Sequence, residues 1–391
     1  KKDTILAYND LNSNFKPLAF NFERNTSATR VNKAGLIETV GSGEPRIDYK
    51  DDAKGALLLE PSRSNAITYS EDFSQWTDAG TTTVLSNITN PSGGLQSYLL
   101  SAASSSTNAL RYDLSFSTST NYSYSLFFKS GTSQEVRMQI YDGNSFFRLA
   151  VNPLNNFEVV DQSGVNSYLI EDFTNGWKKV SINITTSASA SSGYLQIYPD
   201  RTGNLNDVYL FGASLEVGSY PTSYIPTSGS AVTRVQDACN NGGNEQVINS
   251  TEGVLYYEVS AQDNSITTSI LSISNGSNAN SLYSGFSSSS NTIQAQLIVG
   301  GVAQTNMNYV VSDRTKFNKV AILYQNNNHK MYVNGVEAVV DTSGSVPSAN
   351  TFDRLNFDLG QGSFDFYGNV KDIKLYNTAL TDQELINLTT I

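Results

Sequence analysis

His329 is the sole imidazole in a chain of 391 residues. A charge-relay triad or a His-based metal cluster would have to be built around it. It follows Asn326-Asn327-Asn328, a run of turn formers, and so reads as a plain hairpin-turn residue. Hydrolysis of a glycosidic bond needs two carboxyl groups, one protonating the leaving oxygen while the other attacks or activates water. Glu258 stands alone in its strand, and Asp353, Asp358 and Asp365 are spread through a loop-rich stretch. Asp142 with Gly143-Asn144 reads as a turn. No catalytic residue is assigned, and the chain is expected not to be an enzyme. The single cysteine, Cys239, rules out an intrachain disulfide and a Cys-based metal site, and no metal site is assigned.

Aromatic side chains are the other candidates, because a ring face can bind the apolar face of a pyranose. Trp76 and Trp177 could serve as such platforms, but core packing is the expected role for a side chain that fills space so well. Tyr283, Tyr309 and Tyr367 are surface candidates without a ranking. The carbohydrate-binding residues are therefore left unassigned.

The elements that would position such groups are strands. Hydrophobic residues make up 39% and charged residues 16%, with 22 Tyr against 2 Trp. The remainder is rich in Ser, Thr, Asn and Gly. That balance suits short strands joined by many turns. The net charge is −11, and no Lys/Arg cluster exceeds a pair, which argues against a nucleic-acid partner. No stretch approaches the ~20 apolar residues that span a bilayer, so no membrane insertion is expected.

Residues 1–65 read as an irregular leader without sustained periodicity. They carry Leu18, Phe20, Phe22, Ile37 and Leu57-Leu58-Leu59, apolar groups that would need cover from another domain or subunit. Residues 66–236 alternate with period two. Tyr122, Tyr124, Leu126 and Phe128 share one strand face, as do Val180, Ile182 and Ile184. Tyr194 to Tyr198 and Val208 to Phe211 suggest strands covered on both faces. Residues 237–250, with Asn240-Asn241-Gly242-Gly243-Asn244, read as a polar linker. Residues 251–391 repeat the sandwich pattern. Asn334-Gly335 marks a two-residue hairpin, and Thr381 before Asp382-Gln383-Glu384 has capping-box spacing that opens a short terminal helix. The expected fold class is all-β: two β-sandwich (jelly-roll) domains, an irregular N-terminal leader and a short C-terminal helix.

Three stretches carry a family likeness: Phe317-Asn318-Lys319-Val320-Ala321-Ile322, Met331-Tyr332-Val333-Asn334-Gly335-Val336 and Gly368 through Thr381. With them the last ~140 residues resemble a laminin-G-like or concanavalin A-like sandwich. The middle region, from Ile67-Thr68-Tyr69 through Trp76 to the closing Val208–Glu216, resembles a carbohydrate-binding-module jelly roll. The phrases Leu58-Leu59-Glu60-Pro61-Ser62-Arg63-Ser64-Asn65 and Tyr220-Pro221-Thr222-Ser223-Tyr224-Ile225-Pro226-Thr227 resemble those of phage and prophage tail-fibre or head-appendage proteins.

These resemblances imply a phage virion surface protein that binds host or environmental glycans through lectin-like sandwiches. Two alternatives stay open: a polysaccharide depolymerase with a site between subunits, and a passive decoration protein without a ligand. The glucanases of the concanavalin A-like group place carboxylates close together on one strand, and that pattern is missing here. The lyases of the jelly-roll group place His, Tyr and Arg or Gln on one concave face, and no such grouping is found. The resemblance also makes a structural calcium plausible. Glu71 and Glu216 stand near the related positions, but the closing strand reads Leu210-Phe211-Gly212-Ala213, without an Asp pair. No cofactor is assigned. Expected partners are copies of the chain itself in a homotrimer, other virion proteins through the leader, and surface glycans. The expected location is the virion surface.

Overall fold

The computed structural model describes residues 20–103, 107–264 and 267–391, and the backbone alone of residues 6–9 and 15–18. Strands account for 51% of the chain and helix for 4%, so the fold is all-β. Two compact units emerge, one formed by residues 26–41 and 62–235, the other by residues 1–25, 42–61 and 236–391. Among the described residues no helix is long and apolar enough to cross a membrane.

The first unit is a sandwich of two six-stranded antiparallel sheets. One sheet runs Thr81–Ser86, Ser97–Ala102, Asp207–Val217, Asn121–Ser130, Trp177–Thr185, Ser167–Asp172. The other runs Glu158–Ser163, Phe146–Asn152, Val136–Tyr141, Ser192–Tyr198, Ala109–Ser115, Thr77–Ala79. Period-two alternation sends every second side chain inward. Tyr124, Leu126, Phe128, Val180 and Ile182 from the first sheet meet Met138, Ile140, Leu149, Leu195 and Ile197 from the second in one core. The outer face of the first sheet is apolar as well. There Phe127, Trp177, Phe211 and Tyr224 cluster with Ile37. Ile37 belongs to the hairpin Ala28–Val31/Ile37–Val40, so part of the expected leader covers this face.

The second unit packs a nine-stranded sheet against a five-stranded one, Val302–Val310, Thr292–Val299, Asn280–Phe286, Ser269–Ser277, Arg354–Asn356. Leu255, Tyr257, Val320, Ile322 and Ile373 from the larger sheet face Leu271, Ile273, Leu282, Leu297 and Met307 from the smaller. On the outside of the larger sheet, Tyr256, Leu323 and Tyr332 are covered by Leu385 of the helix Asp382–Thr389. That helix opens as expected. Thr381 and Glu384 exchange side-chain-to-backbone hydrogen bonds in a capping box. Asn334 and Gly335 both adopt positive φ, at 51° and 83°, which closes the tight hairpin between Asn328–Val333 and Val336–Asp341.

The described residues 20–65 are divided between the two units, and Cys239 and Ile248 of residues 237–250 pack into the second. Leu57 and Leu59 are buried in the core of the second unit, and Phe20 and Phe22 pack against it. Leu18 lies in a strand whose side chains fall outside the described residues. Ala238–Asn240 pairs with Asn21–Glu23, and Cys239 and Ile248 join the same core. A buried ionic network ties these segments together. Asp237 receives Arg24 Nη1 at 3.0 Å and also pairs with Arg46. Arg46 Nη1 reaches Glu60 Oε2 at 2.7 Å, and the Glu60 amide donates to Asp237 Oδ2 at 2.9 Å. Side-chain exposure in this network is 2% or less. The apolar groups of residues 20–59 are thus covered within the chain, and no longer supply a reason for a neighbouring subunit to cover them.

Candidate functional site

The outward face of the second sheet of the first unit assembles the best candidate site. Along Val136–Tyr141 the side chains of Val136, Met138 and Ile140 enter the core, so Arg137, Gln139 and Tyr141 point outward. The same logic turns Phe146 and Arg148, Tyr194, Gln196 and Tyr198, and Arg111 and Asp113 to the outer face. Strand register then places these side chains in rows. Phe146, Tyr141, Tyr194 and Asp113 lie side by side on four neighbouring strands. The next row is Arg148, Gln139, Gln196 and Arg111. At strand spacings of ~4.8 Å each row is roughly 14 Å long.

The rings pack against one another along the row. Tyr141 stacks on Phe146 with centroids 4.5 Å apart and planes at 30°, and lies 5.1 Å from Tyr194. The Arg111 guanidinium sits 4.0 Å over the Tyr194 ring while its Nε donates to Asp113 Oδ1 at 2.8 Å. Partial burial pushes the Tyr194 phenol pKa up, against the pull of Arg111. Gln139 Nε2 donates to Gln196 Oε1 at 2.7 Å, and the Tyr198 hydroxyl donates to the same oxygen at 2.9 Å. That leaves Gln139 Oε1 and Gln196 Nε2, an acceptor and a donor, without partners among the described residues. Arg137 is held by Glu135 and Asp161, each at 3.1 Å. The face stays open, with Phe146 42% exposed and the Asp113 side chain 55% exposed. Ring faces for C–H groups, interleaved with amides and guanidinium groups for hydroxyls, are the chemistry of sugar binding.

Sequence reasoning missed this face. Tyr194 to Tyr198, expected to be covered on both sides, buries only Leu195 and Ile197, and leaves Tyr194, Gln196 and Tyr198 half-buried. Val208 to Phe211 is covered on both sides as expected. The usable signal was the Tyr-x-Gln-x-Tyr alternation, echoed by Arg137-x-Gln139-x-Tyr141.

The residues singled out from sequence lie elsewhere. Trp76 is 5% exposed, packed on Phe73 and Tyr112, and its indole donates to the Tyr69 carbonyl at 3.1 Å. Trp177 is fully buried and donates to the Thr89 carbonyl at 2.8 Å. Both are core residues. His329 is not in the turn. Asn326 and Asn327 alone make it, Asn327 with φ 55°, so His329 joins the ladder opposite Tyr324 and Asp341. It is fully buried, and burial lowers its pKa.

Glu258 is 3.4 Å from Lys371, which also binds Asp52 at 2.6 Å. Asp142 accepts the amides of Asn144 and Ser145 at 2.9 and 2.6 Å and that of Ser187 at 2.7 Å, which makes it a turn organiser. Burial raises the Cys239 thiol pKa. Asp358 caps the Gly360 amide, while Asp365 takes the Tyr367 hydroxyl at 3.1 Å. Tyr309 packs against the core. Glu216 accepts the Ser214 and Thr222 hydroxyls at 3.1 and 2.6 Å, and burial raises the Glu71 pKa. Among the described residues no group of three or more His, Cys, Asp or Glu side chains is placed to hold a metal ion.

A second polar recess, about 520 Å³, lies in the other unit between Asn241, Asn244, Glu245, Gln246 and the Asp353–Arg354 pair. Arg354 Nε donates to Asp353 Oδ1 at 2.6 Å, and no aromatic ring lines the recess.

Residues 256–386 match the model of the concanavalin A-like lectin/glucanases superfamily. No curated protein matches the chain. Among solved structures, a native heptameric SAP-like pentraxin from Limulus polyphemus is 13% identical, with a TM-score of 0.29, over 37% of this chain and 71% of its own. Domains LG4-5 of the mouse laminin alpha1 chain are 12% identical with a TM-score of 0.25, over 80% of this chain and 92% of theirs. The tandem CBM22-1-CBM22-2 domain of Paenibacillus barcinonensis Xyn10C is 10% identical with a TM-score of 0.27, over 81% of this chain and 97% of its own. The matched residues 256–386 lie wholly in the second unit, which therefore carries a lectin-like sandwich, whereas the aromatic face lies in the first.

Proposed function

We propose that this chain is a glycan-binding protein whose aromatic–amide face, on the sheet carrying Tyr141 and Tyr194, binds an extended polysaccharide. The observation that carries this is the solvent-facing row Phe146–Tyr141–Tyr194–Asp113 beside the row Arg148–Gln139–Gln196–Arg111. Stacked rings bind sugars with little selectivity for sequence, while the amides beside them fix orientation. A glycan array with the intact chain tests it. Binding to a defined glycan class that is lost in Tyr141→Ala/Tyr194→Ala supports the proposal. A folded protein that binds no glycan overturns it and favours the passive decoration reading.

The setting we infer is a phage tail fibre or head appendage, with the chain on the virion surface as a homotrimer. The phrases Leu58–Asn65 and Tyr220–Thr227 support that reading through their resemblance to phage structural proteins. Joining to other virion proteins is part of the same proposal. Light scattering decides the assembly, since a monomer at micromolar concentration ends the trimer. Enzymatic cleavage is not part of the proposal: Asp113 and Asp161 on the face are each engaged by an arginine. Release of reducing ends or of unsaturated uronates from polysaccharides would instead favour the depolymerase with an inter-subunit site.

A further inference from the structure

We propose that Arg148 makes the platform selective for an acidic glycan, by binding an anionic substituent of a sugar packed against the Tyr141–Phe146 pair. This rests on the reading of that face as a glycan platform and names its ligand class. Three guanidinium groups stand on the strands of the outer face, beside a fourth, Arg201, which lies 5.0 Å over the Tyr198 ring, and two of the three are already compensated. Arg111 is bound by Asp113 at 2.8 Å, and Arg137 by Glu135 and Asp161 at 3.1 Å each. Arg148 makes no side-chain hydrogen bond or ion pair with any described residue, and its Nε is shut off from solvent without an acceptor. The Nε of Arg137 on the same face is in that state too, so what sets Arg148 apart is that none of its guanidinium nitrogens meets an acceptor among the described residues, and a bound ligand is one way to satisfy such a group.

The position of Arg148 says what the ligand would be. It follows Phe146 by two residues on one strand, and its guanidinium lies 5.0 Å over that ring. The stack holds the planar fork beside the ring pair Tyr141–Phe146, whose centroids are 4.5 Å apart. A sugar packed against the exposed edge of that pair would bring an exocyclic group to the fork. A carboxylate matches it with two parallel hydrogen bonds, and a sulfate or phosphate ester offers the same acceptor pair. The chain as a whole carries a net charge of −11, so diffuse attraction cannot provide a preference for polyanions. Such a preference would have to arise locally.

Affinity electrophoresis or calorimetry on the intact chain tests this, with polygalacturonate and alginate each set against its carboxyl-reduced form, and dextran sulfate against dextran. The expected result is binding about tenfold or more tighter to at least one acidic polymer than to its neutral counterpart, from one charge-assisted bidentate contact. Arg148→Gln abolishes that preference while neutral-polymer binding persists. Arg148→Lys, which keeps the charge but loses the fork, retains part of it. Lys33→Gln, at an exposed position on the covering hairpin, leaves the preference unchanged. Preference for the uronates alone identifies a carboxylate, and preference for dextran sulfate as well identifies anionic oxygen in general. Equal binding to acidic and neutral polymers, or a preference that survives Arg148→Gln, overturns the role of Arg148 and leaves the platform standing. Absence of binding to every polymer overturns the platform reading itself.

Discussion

The two units are built on one plan but use their polar groups differently. In each, one outer sheet face is apolar and covered, by the hairpin Ala28–Val31/Ile37–Val40 in one unit and by the helix Asp382–Thr389 in the other. Each has a polar face on its opposite sheet. In the first unit that face carries four aromatic rings, the guanidinium groups of Arg111, Arg137, Arg148 and Arg201, and two paired amides, all half-buried or exposed except Gln139. In the second unit the corresponding row reads Asn306, Gln296, Tyr283, Ser272 and Asn356. Its one ring hydroxyl is committed to Gln296 at 2.8 Å. Ser272, Ser274 and Ser281 are fully buried, and Gly360 packs so closely on Ser274 that a Cβ there would lie 2.7 Å from its hydroxyl. Both units bury charges, the second in the Arg24–Asp237–Arg46–Glu60 network and the first at Glu216 and Arg234. A polar face alone is therefore not a binding site. A cluster of partly exposed rings beside amides and guanidinium groups is what distinguishes one.

The sharpest way to break this comparison is to remove the buried charge centre. Asp237→Ala removes the carboxylate that Arg24 and Arg46 share, and is expected to destabilise the second unit by about 3–5 kcal/mol. Urea unfolding should show this, while glycan affinity measured well below the transition stays unchanged. A loss of affinity in the folded variant would mean that the units do not divide the labour as described. Next in size is Tyr194→Ala, expected to weaken glycan binding roughly tenfold, the loss of ~1.5 kcal/mol of stacking and apolar contact. Its unfolding midpoint should move little, because the ring lies outside the core.

A pH series separates the units further. Burial depresses the His329 pKa in the fold, whereas the unfolded chain takes up a proton near the ordinary value of about 6.5. Below that pH the unfolded state binds the extra proton, so stability of the second unit falls as pH drops from about 6.5 toward the depressed value. His329→Leu should flatten this limb in urea titrations at pH 5 and 7.5. An unchanged slope would assign the effect to another group. Asp341 and Asp382, held low by hydrogen bonds from Ser343 and Lys330, act in a separate window. Their contribution is present above the ordinary carboxylate pKa near 4 and lost below it. The smallest expected effect is Tyr283→Ala, with glycan affinity altered less than about twofold, since its ring belongs to the face without neighbouring rings. A large loss there would show that the second unit binds glycans too.

Much of the fold was legible locally. Alternation in Tyr122–Phe128 and Val180–Ile184, the Asn334-Gly335 turn and the Thr381–Glu384 cap each depend on residues a few positions apart, and each formed as expected. The short strands within residues 1–65 were not legible, because segments of two to four residues carry too little periodicity. Their pairing partners are also remote: Arg63–Asn65 meets Val232–Arg234, and Leu57–Leu59 meets Gly368–Val370.

The sequence by itself determined the all-β class, the terminal helix and the lack of a paired-carboxylate strand, since residue type and spacing encode these directly. Only tertiary structure decided which face of each strand meets water. Alternation divides Ser192–Tyr198 into two faces, but whether Tyr194 and Tyr198 are buried depends on what other segment lies over them. The same holds for Arg148. Its missing partner is a property of register across Val136–Tyr141 and Glu158–Ser163, and pairing between distant strands is settled by the packing of the whole unit.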